Sequence, residues 1–303
     1  MLLVISEEES YSRNSLEFIL QNVLDYKDED IHVLIISQPN LSVSFLIDQL
    51  SNIYDTFYRI KTKSEIKSEV TVLLNDERYD TNIATNLWSS MIHTSSIDFS
   101  KIPESYISHI QEDSITTINT ESTSLKPQIH KEYRLANSNA TYQSIPVAAV
   151  GGTFDHLHDG HKILLIVSAF LSGKTLIIGV TGPELLKNKK YVEYMESYET
   201  RVANVQKFLS AVRPSLIPDM YEINDVCGPT AQIQDINALI VSLESCKGAD
   251  YVNNVRSELG WKKLDVYTIG VLGSADSETF KNKMSSTDYR KAEYLKNHLN
   301  KTM

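Results

Sequence analysis

The sequence predicts an α/β protein: a doubly wound parallel sheet of Rossmann-like type, preceded by a smaller α/β domain. Three observations predict it. Short β-branched runs of strand length alternate with apolar residues at helical spacing, which favours parallel pairing. A Ser/Thr-rich stretch divides that alternation in two. A glycine pair stands directly between a buried-type strand and a helix, where doubly wound folds hold their ligands.

In residues 1–110, Leu2–Ile5, Val33–Ile36 and Val70–Leu74 read as strands, and Ser15–Leu24 and Val43–Ile60 carry helical spacing. This domain has no phosphate loop and no clustered histidines, and its role is not legible. Residues 111–143, with Ser114, Thr116, Thr117, Thr120, Ser122, Thr123 and Ser124 ahead of Pro127, read as a linker. Residues 144–303 form the second domain. Val147–Val150 is a strand running into Gly151-Gly152, His161–Leu171 a helix closed by Gly173, and Leu176–Val180 the next strand. Tyr198–Val212 is an amphipathic helix halted by Pro214. Leu239–Val241, Lys247–Leu259, Leu264–Leu272 and Thr287–Leu299 follow as strand, helix, strand and helix.

Composition narrows the function. A formal charge of −10 argues against general nucleic-acid binding, which needs a broad basic footprint. Cys227 and Cys246 are too few for a disulfide framework or a four-thiolate zinc site. The longest apolar run, Ile163–Leu171, is too short to cross a bilayer, and MLLVISEEES lacks the basic start of a signal peptide. A cytoplasmic protein with no membrane partner is expected.

The chemistry concentrates in Gly151-Gly152-Thr153-Phe154-Asp155-His156-Leu157-His158-Asp159-Gly160-His161. Three of the chain's 8 histidines stand here, immediately before a helix. His158 and His161 are three apart, so they project to one side of an opening helical turn. The glycines let backbone approach a ligand, Gly160 leaves room for a flat group such as a nucleoside, and a helix N-terminus favours anions. All of this suits a phosphate chain. The plainer reading assigns His156 to a cap or the surface and Asp155 to capping the turn. A metal held by His156, His158 and His161 is the rival; no Cys or further His lies nearby, and phosphate chemistry ranks ahead. Ser172-Gly173-Lys174-Thr175 is not a phosphate loop, because the required upstream glycine is Ser168.

Lys187, Lys189 and Lys190 follow the second strand, at the mouth where a ligand should sit, with Arg201 on the next helix as backing. A charge run is ordinarily a solvated face, but here its position gives it a use. Near the C-terminus Lys283-Met284-Ser285-Ser286-Thr287-Asp288 contains a capping pattern in Ser285 and Asp288, and is also a second anion cradle at a helix start.

GGTFDHLHDGH, the lysine cluster and KMSST together resemble the HxGH nucleotidyltransferase superfamily. Ile178-Gly179-Val180-Thr181, Tyr198-Glu199-Thr200-Arg201, Val241-Ser242-Leu243-Glu244-Ser245 and Val252-Asn253-Asn254-Val255-Arg256 bring the resemblance to eukaryotic, fungal-type phosphopantetheine adenylyltransferases, over residues 146–295. The resemblance implies transfer of AMP from ATP to 4′-phosphopantetheine by direct in-line displacement, giving dephospho-coenzyme A and pyrophosphate. It implies catalytic roles for His161, His158 and Lys189. ATP would be bound by Gly151, Gly152, Thr153, Phe154, His158, Gly160, His161, Lys283, Ser285, Ser286 and Thr287. Phosphopantetheine would meet Thr153 and Lys187, Lys189 or Lys190. Mg²⁺ would accompany ATP, with no protein metal cage.

The chain departs from bacterial members in having His158 at the first motif position and in lacking a Gly-Leu-Arg after the fourth strand. Ser242, Glu244, Lys247 or Arg256 are the candidates for that arginine's support of the triphosphate. The sequence ends at Met303 without a phosphate loop, so the adenylyl step alone is expected. The alternatives are a cytidylyltransferase of the same superfamily, or a scaffold whose N-terminal domain docks other enzymes of coenzyme A biosynthesis.

Overall fold

The computed structural model describes residues 1–24, 29–36, 42–64, 67–75, 88–120, 144–269 and 285–299. The chain divides into two compact units, Met1–Gln143 with Ser210–Ser215, and Ser144–Leu209 with Leu216–Met303.

The first unit holds β1 (Leu2–Ser6), α1 (Glu7–Tyr11), α2 (Arg13–Leu24), β2 (Ile31–Ile36), α3 (Val43–Ser64), β3 (Val70–Leu74), β4 (Met91–Thr94), α4 (Glu104–Ile107) and β5 (Ile115–Ile118). Its strands pair in parallel in the order β3-β2-β1-β4-β5. The three predicted strands are present, and α3 runs four residues past the expected Ile60 to Ser64. Two strands go beyond the sequence reading. β4 is four residues with a histidine in it, and β5 is an edge strand with no fully buried residue, inside the stretch read as linker. Residues 111–120 therefore belong to this unit, with Thr116 and Thr117 in the sheet; Ser122, Thr123, Ser124 and Pro127 lie outside the described residues.

Strand order reverses between β1 and β4, where an α/β sheet usually receives its ligand. The chain fills that place itself. The buried Glu9 carboxylate accepts from the Ser6 amide at 2.9 Å and from the hydroxyls of Thr94 at 2.6 Å and Thr120 at 2.9 Å.

The second unit holds β6 (Ile145–Gly152), α5 (Asp159–Leu171), β7 (Ser172–Thr181), α6 (Tyr198–Val212), β8 (Asp219–Ile223), β9 (Ala238–Ser242), α7 (Cys246–Glu258), β10 (Asp265–Ile269) and α8 (Ser286–Leu299). The all-parallel order is β10-β9-β6-β7-β8. Counted from the first strand of each unit, both sheets have the same 3-2-1-4-5 arrangement. β6 is central, paired on both sides, so Val147–Val150 can be almost wholly apolar without alternating.

Every residue of α5 from Ile163 to Leu171 is buried, as a helix apolar on all sides requires. Ser168 is tolerated there because its hydroxyl donates to the Leu164 carbonyl at 2.7 Å. Gly173 does not close this helix: Ser172 is its extended C-cap, and Gly173 lies inside β7. The edge strand β8 escaped the sequence reading because polar and apolar residues mix in DMYEI. Leu272, the expected end of the last strand, lies outside the described residues.

Candidate active site

β6 ends in the glycine pair, with Gly151 opposite Gly179 and Gly152 opposite Val180 of β7, at the carboxyl edge beside the strand-order reversal between β6 and β9. A Cβ on Gly152 would stand 3.0 Å from Cζ of Phe154, so a side chain there would crowd the ring folded back under the strand end. Phe154 is fully buried, with φ +50°, in the left-handed region that non-glycine residues seldom occupy. This corrects the expectation that Phe154 contacts ATP: its ring supports the loop from below and leans on His161 with centroids 5.4 Å apart.

His158 is the N-cap of α5 and makes no side-chain cap, and Lys162 N–H supplies the first helical bond to its carbonyl at 3.0 Å. The amides of Gly160 and His161 therefore precede the i→i−4 ladder and point out of the helix start. The imidazoles of His158 and His161 stack with centroids 3.8 Å apart and planes 22° from parallel. Desolvation, and secondarily His158, hold the His161 pKa well below 6.5, so His161 is neutral near pH 7. Its buried Nδ1 has no hydrogen-bond partner among the described residues. A buried polar atom left this way costs about 1–3 kcal/mol unless a ligand satisfies it.

The second motif arrives at the same place. Ser286 Oγ donates to the Asp155 carbonyl at 2.8 Å, although 131 residues separate them. Ser285 caps α8: its hydroxyl donates to Asp288 at 2.7 Å, its amide to the same oxygen at 2.9 Å, and these bonds lower the Asp288 pKa. Thr287 Oγ1 accepts from Arg290 at 3.1 Å, so its own proton remains available to donate. The hydroxyl protons of Ser285 and Ser286 are thus engaged by the protein. What α8 offers an anion is the Thr287 hydroxyl and the amides of Ser286 and Thr287, since the Asp288 amide is donated to Ser285. Lys283 lies outside the described residues.

Asp155 is not merely a turn cap. Fully buried, its carboxylate forms an ion pair with the equally buried Arg290 and accepts from the Glu196 amide at 3.0 Å. Arg290 also donates from Nε to the Lys190 carbonyl at 3.0 Å. His156 is structural: its amide donates to Glu196 Oε2 at 2.7 Å, Nε2 meets the Tyr194 carbonyl at 3.1 Å, and the ring stacks on Tyr289.

Arg201 does not back the lysines. It is buried and donates to the carbonyls of Thr153 at 2.7 Å, Thr181 at 2.9 Å and Glu196 at 3.2 Å, tying the ends of β6 and β7 together. The lysines themselves are exposed. Lys187 pairs with Glu184, Lys190 is anchored through its carbonyl, and Lys189 makes no ion pair among the described residues.

Of the four candidates for triphosphate support, Ser242 ends β9 at the carboxyl edge, Glu244 is exposed in the turn that leads into α7, and Lys247 is exposed in the first turn of α7. Arg256 is ruled out. All five of its N–H donors are taken by backbone carbonyls, those of Lys262, Thr230, Ile233, Gln234 and Ile236, at 2.7–3.3 Å. Among the described residues no three His, Cys, Asp or Glu side chains gather as metal ligands, and no helix is long and apolar enough to cross a membrane.

Asp155–Arg290, Glu196 and the structural use of Arg201 are the functional features that sequence reasoning missed. Only Arg290 left a signal, standing three residues after Thr287 and so on the same helical face.

Comparison with known proteins fits this geometry. Residues 149–292 match the cytidylyltransferase-like family model. A phosphopantetheine adenylyltransferase of Saccharomyces cerevisiae is 46% identical over 145 residues, 48% of each chain. An uncharacterized protein of Schizosaccharomyces pombe is 40% identical over 148 residues, 48% of this chain and 47% of that protein. A phosphopantetheine adenylyltransferase of Pyrococcus furiosus is 42% identical over 125 residues, which are 41% of this chain and 77% of the archaeal protein. The chain belongs to the phosphopantetheine adenylyltransferase family. The matched part spans about half the length of the two fungal relatives. Most of the archaeal family member aligns within about two-fifths of the present chain, a span that its second unit alone can accommodate.

Proposed function

We propose that the chain catalyses transfer of the adenylyl group of ATP to the phosphate of 4′-phosphopantetheine. A nonbridging oxygen of the acceptor phosphate attacks the α-phosphorus in line, a P–O bond forms, and the bond from the α-phosphorus to the α,β-bridging oxygen breaks. The products are dephospho-coenzyme A and pyrophosphate. The acceptor is already an anion, so no strong base is needed. The work of the protein is alignment and charge neutralisation.

The observation that carries this reading is the convergence of two helix starts: α5 with its stacked imidazoles, and α8, held to the α5 entry loop by the Ser286–Asp155 bond. Two helix N-termini tied to one loop suit a triphosphate, whose charge is spread over several ångströms. In this reading neutral His161 donates a hydrogen bond to the α-phosphate as charge builds there, and His158 contacts the chain from the same turn. The Thr287 hydroxyl and the amides of Ser286 and Thr287 receive the leaving pyrophosphate, while the Ser285 and Ser286 hydroxyls shape that turn. Thr153 and Lys189, with Lys187 and Lys190 beside it, receive the acceptor phosphate. The glycines leave the adenosine a flat backbone surface.

Mg²⁺ would enter with ATP, held by phosphate oxygens and water, since Asp155 is already satisfied by Arg290 and Glu196. It would screen the phosphate charges. The test is a substrate panel with the full chain and Mg²⁺, reading pyrophosphate release. Turnover of ATP with 4′-phosphopantetheine is expected. Turnover of CTP with phosphocholine in its place would overturn the assignment.

A further inference from the structure

Three parts of the proposed site lie on separate stretches of chain: the loop before α5, the lysine-bearing loop after β7, and the start of α8. One side chain touches all three. The Arg290 guanidinium pairs with the Asp155 carboxylate in the first, donates to the Lys190 carbonyl at 3.0 Å in the second, and donates to Thr287 Oγ1 at 3.1 Å in the third. Asp155 is bound just as widely. Its second oxygen accepts from the Glu196 amide at 3.0 Å and its carbonyl from the Ser286 hydroxyl at 2.8 Å. Both side chains are almost wholly removed from water, at 2% exposure for Arg290 and 0% for Asp155.

An ion pair this deep is a weak source of stability, because desolvating two charges offsets most of their attraction. Its geometry is what distinguishes it. The planar fork of arginine fixes directions that the point charge of lysine does not. With its three donor atoms directed at these partners, Arg290 is directed at protein groups and not outward at a phosphate.

Resting on the adenylyl-transfer reading above, we infer that Arg290, seated by Asp155, is a positioning residue: it sets the α-phosphate donors, the acceptor loop and the leaving-group helix in one register. Each substrate meets a surface that exists without the fork. What the fork supplies is the alignment of donor and acceptor, and a misplacement of about 1 Å at that level can cost 10²-fold in rate.

The test compares wild type with Arg290→Lys, Arg290→Met and Asp155→Asn as full chains. Arg290→Lys keeps a charge for Asp155, so its Tm should stay near wild type while kcat falls about 10²-fold and KM for either substrate moves less than about fivefold. Arg290→Met leaves a buried carboxylate unpaired and should lose both Tm and kcat. Asp155→Asn should also lower kcat at little-changed KM. Wild-type kcat in Arg290→Lys overturns the inference. So does a rise confined to the KM for ATP, which would make Arg290 a phosphate ligand, or an unchanged kcat per folded molecule in all three variants.

Hydrogen exchange supplies a readout that does not depend on turnover. In Arg290→Lys the amides of residues 153–156, 190–196 and 285–290 should exchange faster together, with the interior of α5 unchanged. Loosening of α8 alone would refute the three-way register. Inactivity of wild type would instead refute the adenylyl-transfer reading, and the exchange result would still decide the role of Arg290.

Discussion

His161→Ala removes an imidazole that stacks on His158 at 3.8 Å, leans on Phe154 at 5.4 Å and carries a buried Nδ1 without a partner. The effect on the fold should be small, because two terms oppose each other. Losing the ring contact with Phe154 costs about 0.5–1.5 kcal/mol beyond area burial. Losing the orphaned Nδ1 relieves about 1–3 kcal/mol of uncompensated desolvation. The residue is small in the variant, and the lost packing area takes back part of that relief. At about 2–4 °C per kcal/mol for a domain of this size, Tm should move by no more than about 5 °C in either direction. The rate should respond quite differently. A preorganised donor at the site of developing charge is worth about 10²–10³ in kcat, or about 2.7–4 kcal/mol. The assay is pyrophosphate release at saturating ATP and 4′-phosphopantetheine, with a thermal melt of the same sample. A kcat within threefold of wild type would refute the role given to His161. A large fall in Tm would refute the opposition of terms from which the small effect on the fold is argued.

Four further outcomes are expected. Because the His161 pKa is depressed in the folded chain, the unfolded chain takes up a proton first as pH falls. The contribution of His161 to stability is therefore full above pH 6.5 and is lost as pH drops from there toward the folded value, so the difference in Tm between wild type and His161→Ala should change in that acidic window; a difference constant from pH 8 to 5 contradicts this. Lys189→Ala should raise KM for the acceptor about tenfold with ATP use little changed, whereas an effect confined to Lys187→Ala would move the contact there. Glu9→Ala should lower the stability of the first unit by about 1–3 kcal/mol in a denaturant melt, since the Ser6 amide and the Thr94 and Thr120 hydroxyls lose their shared carboxylate acceptor; an unchanged midpoint would refute the closed carboxylate seat. Arg256→Lys should lower Tm and leave KM for ATP unchanged, and a selective rise in that KM would restore Arg256 to the triphosphate.

How much of this was legible follows from how local each feature is. His158, Gly160 and His161 sit within one helical turn, so spacing alone put them on one face, and Ser285 with Asp288 is a capping pattern complete in four residues. The helices α5 and α6 were readable because their apolar residues recur over three turns or more. Asp155 and Arg290 are 135 residues apart, and nothing in either neighbourhood announces the partner, so the aspartate read as a turn cap. Arg256 stood among the candidates for triphosphate support because a chain's periodicity does not reveal five carbonyls closing around it. The strand orders were beyond periodicity for a related reason: β4, β5 and β8 are short strands whose partners, not their composition, make them strands. Two units with one shared order, the first with its ligand seat occupied by Glu9, became apparent only in three dimensions.

Adenylyl transfer at this site requires one triphosphate to reach both helix starts. A crystal structure of the full chain with a nonhydrolysable ATP analogue tests this most directly. The α-phosphate should lie within hydrogen-bond distance of His161, and the terminal phosphates at the Thr287 hydroxyl and the amides of Ser286 and Thr287. A nucleotide seated against α5 alone, with the start of α8 bare, would contradict it.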